Sequence, residues 1–466
     1  MTSASLQVTN PFNGDVVGEL PTDDASTLNK MLAESRDLFL RRKGWLPLHE
    51  RIEILLRTQV LMRESQDELA MLIAIEGGKP LVDAIIEVER AIEGVGLCVD
   101  HVKVHAGERI PLGTNRFSAG RIAMTSKEPI GVVASVSAFN HPLNLIVHQV
   151  APAVAAGCPV IVKPASVTPL SCVRFVEILH AAGLPPAWCR TLIPSDSAVS
   201  EALVTDPRIG FFSFIGSARV GWMLNSKLAP GVRCALEHGG AAPVIICDDA
   251  DLDLAVPALV KGGYYHAGQV CVSVQRIFVP RALRSKFVDQ FQSAVAKLVV
   301  GDPTSIETQV GPLIRPKEVE RVHEWVNAAI DGGASCVQGG KTISERVYAP
   351  TILVNPAADA TVTNQEIFGP VVCIYDYDDE DVAVAVANSL PVAFQASVFT
   401  ESLDSAMRIS HNLAASAVMV NDHTAFRDDV MPFAGLRESG LGVGGIPHTI
   451  EDMQIDKMIV LRSGHR

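Results

Sequence analysis

No Cys-x-x-Cys pair and no cysteine–histidine cluster occurs in this sequence, although it holds 9 cysteines. They are scattered and odd in number, so they offer neither a disulfide framework nor a zinc site. The expectation is a reduced, cytoplasmic protein without a metal. Positive charge is scarce as well: 39 Lys and Arg face 52 Asp and Glu, for a net charge of −13. Binding nucleic acid or an anionic membrane needs a basic face, so neither partner is expected, although a single pocket can still be basic. The longest apolar run, IVHQVAPAVAAGCPVIVKP, is broken by His148, Gln149, prolines and a glycine, and is too interrupted to span a bilayer. The opening MTSASLQVTNPFNGD has no basic stretch before an apolar core, so no secretion signal is expected. Internal repeats and low-complexity segments are missing too. At 466 residues the chain is too long for one simple core, which predicts two or three domains.

What the sequence does have is alternation. Residues 24–106 carry apolar side chains at three- and four-residue spacing and read as helices. Residues 111–128, PLGTNRFSAGRIAMTSKE, are polar and read as a hairpin or projecting arm. From Ile130 onward the apolar runs IGVVASVS, PVIVKP and IGFFSF alternate with helical stretches, the pattern of parallel βαβ units buried on both faces. A second set starts near Pro243 with VIICDD and QRIFVP and continues through VVCIYDY, ASVFT and SAVMVN. Two α/β domains with a junction near residues 235–243 follow from this.

Several short segments carry candidate chemistry, each with a plainer reading beside it. In 212-FSFIGSARVG-221 a strand meets Gly216, Ser217 and Gly221 at a helix start. Free N–H groups and the helix dipole there suit a phosphate. The plainer reading is a glycine turn with close helix packing. Lys163 ends the strand of 160-VIVKPAS-166, at the edge where open α/β sheets bind ligands. It suits a ribose hydroxyl or phosphate, or is a solvated strand-end lysine. Glu237 in 235-ALEHGG-240 sits among apolar residues and glycines, which should raise its pKa as a general base requires. Capping a turn is the commoner use of such a glutamate. Asn140 in 137-SAFNHP-142 offers a side-chain amide to an oxyanion, or simply forms a turn. Cys271 in 268-GQVCVSVQR-276, taken alone, is one more buried thiol. The one GxGxxG match, 440-GLGVGG-445, lacks a surrounding βαβ unit and reads as a flexible glycine-rich loop rather than a dinucleotide site.

Order and spacing join these segments. FNHPLN (139–144), IVKPAS (161–166), FIGSARVG (214–221), LEHGGAAP (236–243), GQVCVSVQR (268–276), EIFGPV (366–371) and PFAGLRESGLG (432–442) occur in the sequence of motifs found in the NAD(P)-dependent aldehyde dehydrogenase superfamily. The chain resembles that family over nearly its whole length. The resemblance implies an α/β fold, aldehyde dehydrogenase-like: a variant Rossmann cofactor domain, an α/β catalytic domain and a β oligomerisation arm. It places the NAD(P)-binding domain at 1–110 and 129–236, the catalytic domain at 237–447, and the arm at 111–128 and 448–466. It also implies a homodimer or homotetramer.

By the same resemblance Cys271 is the nucleophile that adds to the aldehyde as a thiohemiacetal. The side-chain amide of Asn140 and the Cys271 N–H hold the oxyanion. Hydride transfer leaves a thioacyl-enzyme, and Glu237 activates water to release the acid, so that one hard step becomes two. Lys163 would bind the adenosine ribose, and Gly216, Ser217 and Gly221 the pyrophosphate. Glu366 would hold the nicotinamide ribose, with Phe368 and Phe139 beside the ring. Asn421 and Gly240 are supporting positions. Ser166 stands where the family often has a glutamate that repels a 2′-phosphate, so NADP should be tolerated or preferred over NAD. Ile215 replaces a common threonine. His238 replaces a common leucine, and either tunes Glu237 or merely packs. Ala434 and Arg437 replace the commoner Gly and Lys with little expected effect.

FNHP resembles the lactaldehyde and small polar aldehyde subgroup. His141 and Arg427 are candidate partners for a hydroxyl or an anion, although packing and pocket bracing would also explain them. Val270 lies where phosphate-binding members often have Arg, which points to a small hydroxylated or weakly anionic aldehyde. Two other readings remain. A CoA-acylating semialdehyde dehydrogenase often lacks the base, and Glu237 counts against it. A non-catalytic binding protein on this fold should have lost Cys271, Glu237 or Asn140, and all three are present.

Overall fold

A computed structural model describes residues 5–462; the first four residues of segment 1–110 and the last four of segment 448–466 lie outside them. The helical reading of 24–106 is realised as helices Ala25–Leu40, Leu48–Glu64, Gln66–Gly77 and Leu81–Val104. None of the described helices is long and apolar enough to cross a membrane.

Five parallel strands build the first large sheet: Val132–Val136, Val160–Lys163, Cys189–Thr191, Ile209–Ile215 and Arg233–Glu237. Numbered by chain order, they lie side by side as 3-2-1-4-5, the doubly wound order. Successive side chains enter opposite faces. Val133 packs with one buried cluster, Val132 and Ala134 with the other. The strand order reverses between Val132–Val136 and Ile209–Ile215, which opens a crevice at their carboxyl ends. Gln149 ties these two strands there, donating to the backbone oxygens of Val136 and Ser213. The short strand Gly440–Leu441 adds to this sheet, antiparallel to Arg233–Glu237.

The second large sheet has seven strands, in spatial order Ser335–Gln338, Thr351–Val354, Val371–Tyr377, Val274–Pro280, Ala242–Ile246, Gln395–Phe399 and Ala417–Val420. Every neighbouring pair is parallel except the outermost, Ser335–Gln338 with Thr351–Val354. A third sheet is antiparallel, with Arg121–Pro129 between Gln454–Arg462 and Arg109–Ile110. The segment read as a polar arm is therefore a strand in its second half, paired with the chain's last strand. Several large apolar side chains on this sheet are exposed, among them Ile122, Met124, Met458, Ile459, Val460 and Leu461.

Buried glutamates fasten the N-terminal helices to the first sheet. Glu87 Oε1 accepts from the N–H groups of Leu143 (2.9 Å) and Asn144 (3.0 Å), capping the helix Asn144–Ala156. Its other oxygen pairs with Lys79, and both side chains are fully buried. Glu76 caps the helix Leu170–Ala181 in the same way, accepting from the N–H groups of Leu170 and Ser171.

Candidate active site

The carboxyl ends of the first sheet and the segments leading into the second sheet meet at one place. Val136 is followed by Phe139 and Asn140. Ile215 is followed by Gly216 and Ser217, and the strand Arg233–Glu237 ends on Glu237 itself. Cys271 lies three residues before the strand Val274–Pro280, and Glu366 and Phe368 lie just before Val371–Tyr377. Two hydrogen bonds sew these segments together. The Asn140 amide donates to the Gln269 carbonyl at 3.0 Å, and the Gly240 N–H donates to the Cys271 carbonyl at 3.2 Å. An amide nitrogen has two hydrogens, so Asn140 keeps a second donor.

The segment carrying Cys271 is held under constraint. His266, Ala267 and Gly268 all have positive φ (48°, 54° and 69°), a conformation unusual for the first two. At Gly268 a Cβ would come within 2.1 Å of the Gly369 carbonyl oxygen, so only glycine fits. Buried Gln269 locks the turn: its amide donates to the carbonyls of His266 (3.3 Å) and Pro312 (3.2 Å), and its oxygen accepts from Ile314 N–H at 2.9 Å. Gln275 reaches the other way, donating to Gln365 and accepting from Ile367, which fixes the backbone around Glu366. Gln269 and Gln275 both lie in the quoted motif GQVCVSVQR, but their spacing gives no hint of these distant partners.

Cys271 is half-buried. Burial raises its pKa, the Glu366 and Glu237 carboxylates raise it further, and Arg427 opposes them. Burial pushes Glu237 up to about 7, with Arg427 again pulling the other way. That is the direction expected from its apolar and glycine neighbours. Glu366 is pushed up to about 8 by burial, and its Oε1 is enclosed without a hydrogen-bond partner. Gly239 makes room for it, since a Cβ there would lie 1.7 Å from Glu366 Oε1.

The flexible-loop reading of 440-GLGVGG-445 does not hold. Gly440 and Leu441 are strand residues, and Gly444 exchanges backbone hydrogen bonds with Phe433. A Cβ on Gly444 would sit 2.0 Å from Glu237 Oε1, and one on Gly445 would sit 2.5 Å from the Met431 carbonyl. These glycines serve close packing around the carboxylate, which sequence patterning cannot separate from flexibility.

The positions expected to bind a cofactor lie at the ends of strands or just before Val371–Tyr377. Ser217 is the residue before the helix Ala218–Asn225, exposed and making no side-chain cap, so the first N–H groups of that helix are free of it. Gly221 lies in the first turn, where a Cβ would collide with His238 at 2.0 Å. His238 does not tune Glu237. Its Nδ1–H donates to the Gly216 carbonyl at 3.0 Å, and its ring wedges against Phe214 and Trp222. Packing is therefore the correct one of its two readings, with the added duty of holding the Gly216 turn. Lys163 is half-buried, has no ion pair among the described residues, and has its pKa lowered by burial. Ser166 lies just beyond it, exposed. Phe139 and Phe368 meet edge to face, centroids 5.7 Å apart, with Phe368 held at a positive φ of 49°. A free helix terminus, a lysine without an ion pair among the described residues and an enclosed carboxylate with one unbonded oxygen are groups a dinucleotide would engage.

The substrate candidates separate by surroundings. His141 is buried and hydrogen-bonded through Nε2 to the Tyr265 hydroxyl at 2.9 Å. Val270 is buried in an apolar cluster with Val272 and Phe394. Arg427 lies over the Phe433 ring, donates from Nη1 to Met431, and has a buried Nη2 with no partner. Asp429, 3.8 Å from Arg427, is also bonded by Arg90 and His148. Asn421 spends its side chain on the Thr400 backbone in both directions, and so braces a strand end. Elsewhere His101, His105 and Glu451 converge from two helices, with Lys127 on the free oxygen of Glu451.

The model of the Aldehyde dehydrogenase family matches residues 1–459. The chain is 37% identical over 461 residues to the 3-sulfolactaldehyde dehydrogenase of Priestia aryabhattai, covering 99% of this chain and 95% of that protein. It is 34% identical over 460 residues to the lactaldehyde dehydrogenase of Methanocaldococcus jannaschii, covering 98% and 97% respectively. The crystal structure of a glyceraldehyde-3-phosphate dehydrogenase from Methanocaldococcus jannaschii, complexed with NADP, aligns with a TM-score of 0.94 at 34% identity, covering 99% of this chain and 100% of that one.

Proposed function

The chain belongs to the aldehyde dehydrogenase family and oxidises an aldehyde to the acid with NAD(P); from that premise we propose that Cys271 is its nucleophile, Glu237 its base and Asn140 its oxyanion donor, acting on a small hydroxylated or singly anionic aldehyde. One observation carries the assignment. The three groups come from three separate segments, and the bonds Asn140–Gln269 and Gly240–Cys271 bring those segments together.

Cys271 gives up its thiol proton to solvent and its sulfur bonds to the aldehyde carbon as the C=O double bond opens, while the second amide hydrogen of Asn140 and the Cys271 N–H take the charge growing on oxygen. Bound NAD(P) supplies the hydride acceptor. Lys163, Ser166, Gly216, Ser217, Gly221 and Glu366 would hold it, between Phe139 and Phe368. Once the aldehyde carbon has lost its hydride, the enzyme is left as a thioester on Cys271. Glu237, with a pKa near 7, accepts a proton from water as the water attacks the carbonyl. The C–S bond then breaks, and the acid leaves. Ser166 carries no charge to repel a 2′-phosphate, and Lys163 has no ion partner among the described residues, so NADP serves at least as well as NAD.

Arg427 Nη2 is the anchor for an anionic end of the substrate, because it is buried, cationic and without a hydrogen-bond partner among the described residues. Relatives named for sulfolactaldehyde and lactaldehyde support this substrate class. A second copy of the chain is the proposed partner of the arm sheet, whose exposed Met458, Ile459, Val460 and Leu461 need a cover.

An aldehyde panel with NAD and NADP, with and without CoA, tests the reading. Lactaldehyde, 3-sulfolactaldehyde, succinic semialdehyde and glyceraldehyde 3-phosphate should rank with the hydroxylated and singly charged members first. Turnover confined to long apolar aldehydes, or formation of acyl-CoA, would overturn it.

A further inference from the structure

The wall beside Cys271 is apolar with one polar break. Val270, Val272 and Phe394 form a buried cluster, and Tyr265, Cys271, Ala425 and Phe433 pack against it. Apart from the thiol, Tyr265 is the only one of these side chains that can form a hydrogen bond. Tyr265 and Cys271 both pack against this one small cluster. The phenol is also well fixed. The Lys261 ammonium lies 4.9 Å and the Lys79 ammonium 5.8 Å from the ring centroid, and the hydroxyl is 2.9 Å from His141 Nε2. His141 in turn follows Asn140 directly, so this polar pair stands next to the group proposed to receive the carbonyl oxygen.

Burial and the neighbouring Lys79 and Arg90 keep His141 uncharged, and burial with Asp83 and Glu87 nearby keeps Tyr265 protonated. A phenol can donate once and accept twice, and His141 uses one of these capacities. It is the only hydrogen-bond partner of the Tyr265 hydroxyl among the described residues. Whichever of the two gives the proton, the phenol oxygen keeps capacity for another neutral hydroxyl.

We infer that the Tyr265 hydroxyl, oriented by His141, binds the hydroxyl on the carbon next to the aldehyde, which makes the enzyme selective for 2-hydroxyaldehydes. This assignment rests on the proposed roles of Cys271 and Asn140 and adds a substrate-binding residue to them. A deoxy substrate leaves the buried phenol partly unsatisfied, and the phenylalanine variant leaves the substrate hydroxyl unsatisfied.

The test compares kcat/KM for lactaldehyde and for propionaldehyde, its 2-deoxy counterpart, in the wild-type holoenzyme and in Tyr265→Phe. Wild type should favour lactaldehyde, and the substitution should lower the lactaldehyde-to-propionaldehyde ratio by about tenfold, the effect of one lost hydrogen bond in a dry site. Taking a ratio of two substrates in one protein cancels any loss of folded enzyme. An active wild type whose ratio is unchanged by Tyr265→Phe overturns this assignment alone. A wild type that oxidises neither aldehyde overturns the underlying reading, and this assignment with it.

Discussion

Replacing Gly444 by alanine should disable the second half of the reaction and spare the first. The added methyl would lie 2.0 Å from Glu237 Oε1, against an ordinary contact of 3.4 Å or more, so the carboxylate must retreat by about 1.4 Å. Gly444 has no positive φ, so the alanine backbone itself is unstrained. The Phe433 carbonyl, 3.0 Å from the new atom, adds only a small push. Overpacking of this kind typically costs about 1–3 kcal/mol of stability, with the low end expected where the displaced group is the free end of a side chain. Displacing a catalytic group by about 1 Å can cost about a hundredfold in rate. Rapid mixing of Gly444→Ala with aldehyde and excess cofactor should therefore give a near-normal burst of reduced cofactor, one per active site, as Cys271 acylates. Steady-state turnover should then be slower by about a hundredfold, because water is no longer activated over the thioester. A steady-state rate within about threefold of wild type would refute the reasoning, since Glu237 would then be working from a different position.

Ser166→Glu should lower the NADP-to-NAD ratio of kcat/KM by at least tenfold, about 1.4 kcal/mol, because the carboxylate repels a 2′-phosphate; an unchanged ratio would remove Ser166 from the argument. Glu87→Gln keeps a cap for the helix Asn144–Ala156 but leaves Lys79 without its counter-charge in a dry interior, and urea unfolding should show a loss of about 3 kcal/mol. A loss below about 1 kcal/mol would mean that Lys79 sheds its proton easily, in keeping with the lowering of its pKa by burial. Turnover should rise as pH climbs through about 7, because Glu237 must be ionised to take a proton from water. Arg427→Met removes the charge that pulls Glu237 down, so that rising limb should move to higher pH; a shift to lower pH would contradict the electrostatics.

Much of the site could be read from the ends of predicted strands. Lys163, Glu237 and the Gly216–Ser217 turn each follow an apolar run, and the doubly wound order brings those ends to one edge. Parallel strands buried on both faces leave an unmistakable pattern, and the site inherits it. What the sequence hid is cross-chain pairing. Tyr265 meets His141 across 124 positions and Asn140 meets Gln269 across 129, and neither pairing follows any local period. The capping of two helices by Glu76 and Glu87 is hidden in the same way, since the helices Asn144–Ala156 and Leu170–Ala181 have no side-chain cap of their own at the N-terminus. The glycines of 440–445 are ambiguous in the sequence for a physical reason. Glycine is used both where a chain must move and where another atom must come close, and composition cannot tell the two apart.

The charges around Arg427 narrow the substrate further. Asp429 takes hydrogen bonds from Arg90 at 2.6 and 3.2 Å and from His148 at 2.9 Å. Burial opposes its ionisation, but His148 and Arg90 together hold it well below the usual carboxylate range, so it stays charged. His148 is itself pushed down by burial against the pull of Asp429, and is neutral near pH 7. Arg90, Arg427 and Asp429 together carry a single net positive charge, and burial opposes the ionisation of Glu237 beside them. That balance matches one negative charge on the ligand. A carboxylate or sulfonate carries one, while a phosphate monoester carries between about 1.5 and 2 at neutral pH. The buried, uncharged Val270 beside Cys271 adds no second cation. A phosphorylated aldehyde would therefore enter with charge left over next to two carboxylates that already resist ionisation, and the site should discriminate against it in favour of a singly charged or neutral hydroxyaldehyde.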